Sequence, residues 1–396
     1  MRCQWVFTLL LSAVVLSAAP VRDSKTDFAV KSLSKFVRSG EYPGMISILY
    51  KDGIQETACI GYANVEKKIP ISPDQLFMQC SQTKGFCGVT IAILVEEGKL
   101  SLDDPVAGYL PEFRNLKVKI KDKDGKESIV PAKNVLTIRM VMNHTGGFNF
   151  EIPTKNKKGW PSLSLRDTAR EAAGIPLNFE PGTQAKYSNT GIDIGAAVIE
   201  VITGKPWEQF LKERVLDPLG MSSSTFNPSD EQLKKSIQMY IVNPGAKAVY
   251  EAFHPAMPLP HNGKNVHPSA GAGLWTTASD QLKFYKMLMN KGVGDNGVRI
   301  LQKETVEKLL LTSTRPAGMS GYSLGLWVQK DGFVGHGGAF GTSCMVNPEK
   351  KLLQLWVVQL RGNQRAIGIA RQWVAKEFFS ADLDTSAADA YTGRMK

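Results

Sequence analysis

Residues 80–98 read CSQTKGFCGVTIAILVEEG, and this stretch decides the architecture of the chain. Its apolar side chains crowd most sides of a predicted helix, which Gly98 ends. A helix that is apolar nearly all round lies in the interior of a protein, where other elements cover every face. We therefore predict a central helix that carries Ser81 and Lys84 at its beginning.

Strand-like segments lie towards both ends of the chain, on either side of this helix. The run 45–50 predicts a strand, and the turn 51–53 leads it into a second strand at 57–60. Aromatic and β-branched residues near the C-terminus predict further strands at 322–329, 341–346 and 352–360. This order favours an α+β fold, in which one antiparallel sheet is built from both termini around a mainly helical inserted lobe.

Helical periodicity predicts the remaining elements. Between residues 98 and 230 the chain is predicted to be mainly helical, with loops at 121–126 and 153–161. The predicted helices cover residues 26–39, 192–203, 207–215, 280–289, 303–310 and 364–379. We expect a functional site in the cleft between the sheet and the helical lobe.

The first 19 residues differ from the rest of the chain. Arg2 supplies a positive start, the run 5–16 is almost wholly apolar, and residues 17–19 are small. The apolar run is shorter than the roughly 20 residues that span a bilayer, which favours a cleaved export signal over a membrane anchor. We therefore expect a secreted or periplasmic protein that is not integral to the membrane.

The remaining chain is predicted to form one catalytic domain at 20–385 and a loose polar tail at 386–396. The composition, 43% hydrophobic and 21% charged, is typical of a soluble globular protein and excludes a fibrous or disordered one. We assign residues 26–78 and 268–380 to the sheet lobe and residues 79–267 to the helical lobe.

Export would place the cysteines that follow the signal in an oxidising compartment, where cysteines can pair. They are Cys59, Cys80, Cys87 and Cys344. If Cys80 and Cys87 share the central helix, about 10 Å along its axis separates them, which is too far for a disulfide. Any bridge must join distant segments, and the pairing is open. Because the chain has no C-x-x-C and no H-E-x-x-H motif, we expect neither a metal nor a cofactor.

The formal net charge is +11. A basic surface attracts anionic polymers, which makes an anionic cell-envelope polymer a possible partner. The simpler interpretation is that the charge keeps an exported protein soluble. The chain has no arginine-rich helix and no aromatic-basic ribbon, so we do not expect it to bind nucleic acid.

Ser81 and Lys84 form a Ser-x-x-Lys motif. On a helix, this offset places both side chains on one face, one turn apart. Within an apolar helix the lysine loses hydration, which lowers its pKa from about 10.4 towards neutrality, and a neutral amine can take the hydroxyl proton. The spacing alone is weakly specific, because Ser32 and Lys35 repeat it in the N-terminal helix. The alternative is a helix cap with an outward-pointing lysine.

Tyr187-Ser188-Asn189 follows the turn at 181–182 and precedes a predicted helix. A phenol beside a lysine can relay protons, and an asparagine amide can hold a substrate carbonyl. Tyr62 and Asn64 have the same spacing, so this signal is also weak by itself. The alternative is a turn with a buried tyrosine.

Residues His336, Gly337, Gly338 and Ala339 lie in the C-terminal strand region. Two glycines let a substrate approach the backbone closely. The amide of Ala339 can then join that of Ser81 in an oxyanion hole, which stabilises the transition state of acyl transfer. The alternative is a glycine-rich bend with His336 at the surface.

Taken in order, these motifs resemble the serine β-lactamase and penicillin-binding-protein family, and within it the class C β-lactamase-like group of esterases, D-amino-acid peptidases and lactamases. The resemblance covers residues 27–378 and is carried by collinear motifs. They are Tyr42-Pro43-Gly44, Ser81-Gln82-Thr83-Lys84, residues 100–106 (LSLDDPV), 136–139 (LTIR) and 144–147 (HTGG), Pro181-Gly182, residues 187–191 (YSNTG) and 218–221 (PLGM), and His336-Gly337-Gly338.

The resemblance implies a β-lactamase/transpeptidase-like fold and a role for each site residue. Ser81 would form an acyl-enzyme after Lys84 activates it, and Tyr187 would shuttle protons for the leaving group and the deacylating water. Asn189 would orient the acyl amide, and the amides of Ser81 and Ala339 would form the oxyanion hole. Ser32 and Tyr62 would lie outside the site.

The chain departs from the family at its third motif, which is His336-Gly337-Gly338 where lactamases usually have Lys-Thr-Gly. The missing lysine normally binds the carboxylate of a β-lactam, so the departure favours small-molecule esters or D-amino-acid peptides and amides as substrates. A protonated His336 would restore a carboxylate site. The alternatives are a β-lactamase or D,D-carboxypeptidase, and a non-catalytic cell-envelope binding protein with the same fold.

Overall fold

The computed structural model describes residues 30, 33–154, 156, 159–242, 250–252 and 266–361. Three predicted segments lie outside the described residues, namely the export signal at 1–19, the closing helix at 364–379 and the tail at 386–396. The limits of the catalytic domain and of its two lobes stay predictions.

A seven-stranded antiparallel sheet forms the frame of the molecule. Across the sheet its strands are β10 (Trp327–Val328), β11 (Val334–Gly337), β12 (Ser343–Asn347), β13 (Leu352–Val357), β1 (Gly44–Lys51), β2 (Ile54–Asn64) and β3 (Ile69–Pro70). Ile48 of β1 lies between Leu355 of β13 and Thr57 of β2. The pairing of β1 with β13 confirms the predicted sheet built from both ends of the chain.

Helices cover this sheet and fill the inserted lobe. They are α1 (residues 33–38), α2 (Thr83–Glu96), α3 (Ile138–Met142), α4 (Leu165–Ala173), α5 (Asn189–Thr203), α6 (Trp207–Leu211), α7 (Asp230–Lys234), α8 (Ala278–Met289) and α9 (Lys303–Leu309). The predicted helix at 207–215 is α6 continued by a π-helical turn, Lys212–Leu216. None of the described helices is long and apolar enough to cross a membrane.

The central helix α2 is buried over most of its length, as predicted. Its glycines permit this burial because the backbone of another segment comes very close. A Cβ atom at Gly88 would lie 1.8 Å from the carbonyl oxygen of Leu324. On another side of the helix, the ring of Phe86 stacks on Phe284 of α8 with 3.7 Å between centroids.

The strands differ from the predictions in two places, the first of them within the stretch that was predicted to be mainly helical. The inserted lobe contains a hairpin of β5 (Lys117–Lys121) and β6 (Glu127–Pro131), and the predicted loop 121–126 is its turn. In β5 lysines alternate with Val118 and Ile120, which is the period of a strand, although only Val118 is buried. Of the predicted strand 322–329, only β10 is a strand, because Gly325 turns the chain at a φ of 80° where it meets the Lys84 carbonyl.

Shorter strands complete the described structure. β4 (Phe77–Met78) pairs with β9 (Trp275–Thr276), and β7 (Tyr240–Val242) lies between β8 (Tyr250–Ala252) and β14 (Leu360–Arg361). β4 leads directly into the turn before α2 and so places the start of that helix. Within the described residues all four cysteines are free thiols, and only Cys59 is exposed.

Candidate active site

Ser81 lies in a 3₁₀ turn, Cys80–Gln82, between β4 and α2. The residue before it, Cys80, has a φ of 53°, a conformation that costs a non-glycine residue on the order of 1–3 kcal/mol. The hydroxyl of Thr83 donates to the Cys80 carbonyl at 2.7 Å and holds the turn in place. The turn leaves Ser81 partly exposed, although the residues that follow it are buried.

Lys84 is completely buried. Its Nζ donates to Ser81 Oγ at 3.3 Å, to Asn189 Oδ1 at 2.5 Å and to the Gly271 carbonyl at 2.7 Å. Three acceptors therefore match the three donors of an ammonium group. Loss of hydration lowers the pKa of Lys84 to about 7, although the negative charges of Asp193 and Glu151 act in the opposite direction. The predicted contact and the predicted pKa shift are both present.

Tyr187 lies against the same ammonium group. Lys84 Nζ lies 4.5 Å from the centre of the Tyr187 ring, so the lysine meets the face of the ring. The phenol oxygen lies 3.4 Å from Nε2 of His336. On its other sides the ring contacts His144 at 4.5 Å between centroids and lies parallel to Trp327 at 6.4 Å. These contacts fix the tyrosine between the lysine and β11.

Asn189 joins Lys84 to a carboxylate. Ser188 caps α5 by accepting from the amide of Gly191, so Asn189 occupies the first position of the helix. Its Oδ1 accepts from Lys84, and its Nδ2 donates to Glu151 Oε1 at 2.5 Å. Burial raises the pKa of Glu151 to about 7. The sequence analysis assigned no role to Glu151, although it lies four residues after the HTGG motif.

Asp193 and Gly271 were also missed. The carboxylate of Asp193 accepts from the amide of Gly271 at 3.0 Å, while the carbonyl of Gly271 accepts from Lys84. Nε2 of His267 lies 3.4 Å from the same carboxylate, which raises the pKa of the histidine despite its burial. Asp193 follows Asn189 by four residues and so shares its face of α5, the one signal that the sequence offered.

His336 is buried and neutral. Loss of hydration and the nearby charge of Lys84 lower its pKa to about 3, which disfavours the protonated form that the predicted carboxylate site requires. Nδ1 lies 2.6 Å from the Gly337 carbonyl, which assigns the ring proton to Nδ1 and leaves Nε2 as an acceptor facing Tyr187. The histidine can therefore accept a hydrogen bond but supplies no charge.

The strand end after His336 packs directly on the nucleophile turn. A Cβ atom at Gly338 would lie 2.4 Å from the Gln79 carbonyl, so only glycine fits there. Ala339 is exposed next to this contact, and its amide hydrogen-bonds to the thiol of Cys80, the residue before Ser81. The oxyanion hole of Ser81 and Ala339 stays a prediction.

The repeated motifs lie elsewhere. Lys35, of the second Ser-x-x-Lys, is exposed on α1, and Ser32 lies outside the described residues. Tyr62 is 39% exposed on β2. Burial thus distinguishes Lys84 from Lys35, and Asn189 from the partly exposed Asn64, although the residue spacings are the same.

The profile of the Beta-lactamase family matches residues 30–376. The chain belongs to this family. It is therefore a serine hydrolase of the β-lactamase and penicillin-binding-protein superfamily, with the β-lactamase/transpeptidase-like fold expected from its motifs.

Similar proteins span nearly the whole chain. Protein Rv1367c of Mycobacterium tuberculosis is 27% identical over 361 residues, which cover 83% of this chain and 88% of that protein. The structure of EstCE1, a hydrolase with promiscuous acyltransferase activity, is 21% identical and superposes with a TM-score of 0.72 over 90% of this chain and 99% of that one. The octameric penicillin-binding protein homologue of Pyrococcus abyssi is 25% identical, with a TM-score of 0.66 over 90% of this chain and 77% of that one.

The charge of Asp193 makes a testable contribution to the titration of Lys84. We expect kcat/KM of this β-lactamase family member for p-nitrophenyl butyrate to rise with pH, with a midpoint near 7, as Lys84 loses its proton. Because Asp193 raises the pKa of Lys84, Asp193→Asn should move the midpoint to lower pH.

The matched control is Asp280→Asn, which alters a buried carboxylate that accepts from the Ser223 amide and has no contact with Lys84. Its pH profile should equal that of the wild type. A midpoint that stays in place or moves to higher pH in Asp193→Asn, with an unchanged melting temperature, contradicts this account.

Proposed function

We propose that the protein hydrolyses esters or D-amino-acid-containing peptides and amides through an acyl-enzyme on Ser81. The observation that supports this most directly is the 3.3 Å contact between Ser81 Oγ and the buried amine of Lys84. At a pKa of about 7 that amine is partly neutral at neutral pH and is able to accept the serine proton.

The reaction would proceed in two acyl transfers. Lys84 Nζ takes the proton of Ser81, Oγ bonds to the substrate carbonyl carbon, and the bond to the leaving group breaks as that group receives a proton from Tyr187. Water then attacks the acyl-enzyme, its proton returns through Tyr187 and Lys84, and the bond to Oγ breaks to regenerate the serine. The acceptor Nε2 of His336, 3.4 Å from the phenol oxygen, would orient the tyrosine for both transfers.

The neutral His336 supports esters and amides over β-lactams. A β-lactam carries a carboxylate, which a cation next to the oxyanion hole binds well and a neutral imidazole binds poorly. We further propose, from the export signal predicted at 1–19, that the protein acts outside the cytoplasm.

Removal of the nucleophile is the primary test. A fluorophosphonate probe should label the wild type and Tyr62→Phe but not Ser81→Ala. Lys84→Met should lower kcat/KM for p-nitrophenyl butyrate by about a hundredfold to ten-thousandfold, because the general base is lost.

The matched control is Lys35→Met, which changes the exposed lysine of the second Ser-x-x-Lys and should leave kcat/KM as in the wild type. If the probe labels Ser81→Ala as strongly as the wild type, another residue is the nucleophile. If it labels neither protein while a control esterase reacts, the non-catalytic binding protein is favoured.

Substrate preference is tested by nitrocefin beside p-nitrophenyl butyrate, both assayed by absorbance on the same enzyme. We expect kcat/KM for the ester to exceed that for nitrocefin, because His336 supplies no charge for the lactam carboxylate. His336→Lys should narrow the difference by improving nitrocefin turnover. Nitrocefin turnover in the wild type that equals or exceeds ester turnover would instead identify a β-lactamase.

A further inference from the structure

We propose that Glu151 is the binding site for an ammonium group on the acyl part of the substrate, so that the enzyme prefers esters and amides of amino acids with a free amine. This inference rests on the proposed acyl transfer at Ser81 and names the substrate class of that site. It concerns a carboxylate that the proposed chemistry itself does not use.

Glu151 is held next to the catalytic lysine by a well-anchored loop. The carbonyl of Phe150 accepts from the amides of Asn189 at 2.8 Å and Thr190 at 3.2 Å. The hydroxyl of Ser188 donates to the Asn149 carbonyl at 2.6 Å. These bonds join the loop to the start of α5 on both sides of Asn189. The backbone that leads into Glu151 is therefore fixed beside α5, and the carboxylate itself is held by Asn189 Nδ2.

The amide of Asn189 separates Glu151 from Lys84. Its Nδ2 donates to the carboxylate, and its Oδ1 accepts from the ammonium group. The family resemblance implies that Asn189 orients the acyl group of the substrate, and the proposed function gives it that role. A carboxylate bonded to the same amide therefore lies beside the acyl group, where an amine next to the reacting carbonyl would come.

The carboxylate has no cationic partner among the described residues. No lysine, arginine or histidine nitrogen of the described chain lies within ion-pair distance of Glu151. The two nearby cations have other partners: Lys84 donates to its three acceptors, and His267 lies against Asp193. The side chain is half-buried, and both its burial and the negative charge of Asp193 raise the pKa of the carboxyl group. A partly desolvated carboxylate of this kind gains most from a cation that brings its own hydrogen-bond donors.

The surroundings suit an ammonium group better than other cations. Within the described chain no three histidine, cysteine, aspartate or glutamate side chains cluster to hold a metal ion. Phe150, the preceding residue, is 50% exposed, and its ring lies 6.0 Å from that of Tyr187. Aromatic faces beside a carboxylate stabilise an ammonium group through cation–π attraction. An acidic acyl group would be repelled at the same position.

The test compares two substrates that differ in one amine. D-Alanine benzyl ester and benzyl propionate release the same alcohol, which chromatography quantifies, and at pH 7 the α-amine is mostly protonated. We expect the wild type to prefer the alanine ester and Glu151→Gln to lower the ratio of the two kcat/KM values about tenfold to a hundredfold. The ratio cancels any effect of the substitution on Lys84, because both substrates depend on that lysine equally.

Glu200→Gln is the matched control. Glu200 is a half-buried carboxylate on the same helix as Asn189, about 16 Å further along the axis, and accepts from the Trp207 amide. This variant should keep the wild-type ratio. An equal preference for both esters in the wild type, or an unchanged ratio in a folded Glu151→Gln, overturns the ammonium site while leaving the proposed function intact.

If the wild type hydrolyses neither ester, the proposed function fails, and the ammonium site is decided by binding. Calorimetry on Ser81→Ala should then show D-alaninamide binding more tightly than propionamide, and Glu151→Gln in the same background should remove the difference. Equal affinity for the two amides overturns the site.

Discussion

The ammonium group of Lys84 is buried, and the rest of the site depends on that constraint. Lowering its pKa from 10.5 to about 7 corresponds to about 5 kcal/mol of lost preference for the charged form. The helix α2 packs against α5 and α8, which leaves Lys84 completely buried with three hydrogen-bond acceptors in reach. The same burial makes a strongly basic amine available as a base near neutral pH.

The negative charges near Lys84 do not contact its ammonium group directly, and this separation keeps the pKa of the lysine low. Asp193 acts through the backbone of Gly271, and Glu151 acts through the amide of Asn189. A carboxylate in direct contact would stabilise the ammonium form and return the pKa towards its ordinary value. A neutral peptide carbonyl and a neutral amide occupy those contact positions instead. Neutral groups thus fix the position of the Lys84 amine, while the carboxylates behind them attract its charge only moderately.

The sequence predicted the elements whose signals are local. The apolar run of α2, the hairpin of β1 and β2, and the C-terminal strands could be identified because burial imposes their periodicities. The β5–β6 hairpin was missed because its strands are short and mostly exposed, so that the alternation of lysines with Val118 and Ile120 was not recognised as a strand. Gly271 and Asp193 act through tertiary contacts, and the neutrality of His336 depends on burial, so none of them is visible in a motif.

The central claim is that Lys84 titrates near neutral pH, and direct titration tests it. Heteronuclear NMR of protein labelled with ¹³C and ¹⁵N lysine follows the Cε and Nζ signals against pH, and the signal lost in Lys84→Met identifies the residue. The account predicts a midpoint near 7 for Lys84. A midpoint of about 10.4, the ordinary value for a solvated lysine, would contradict it.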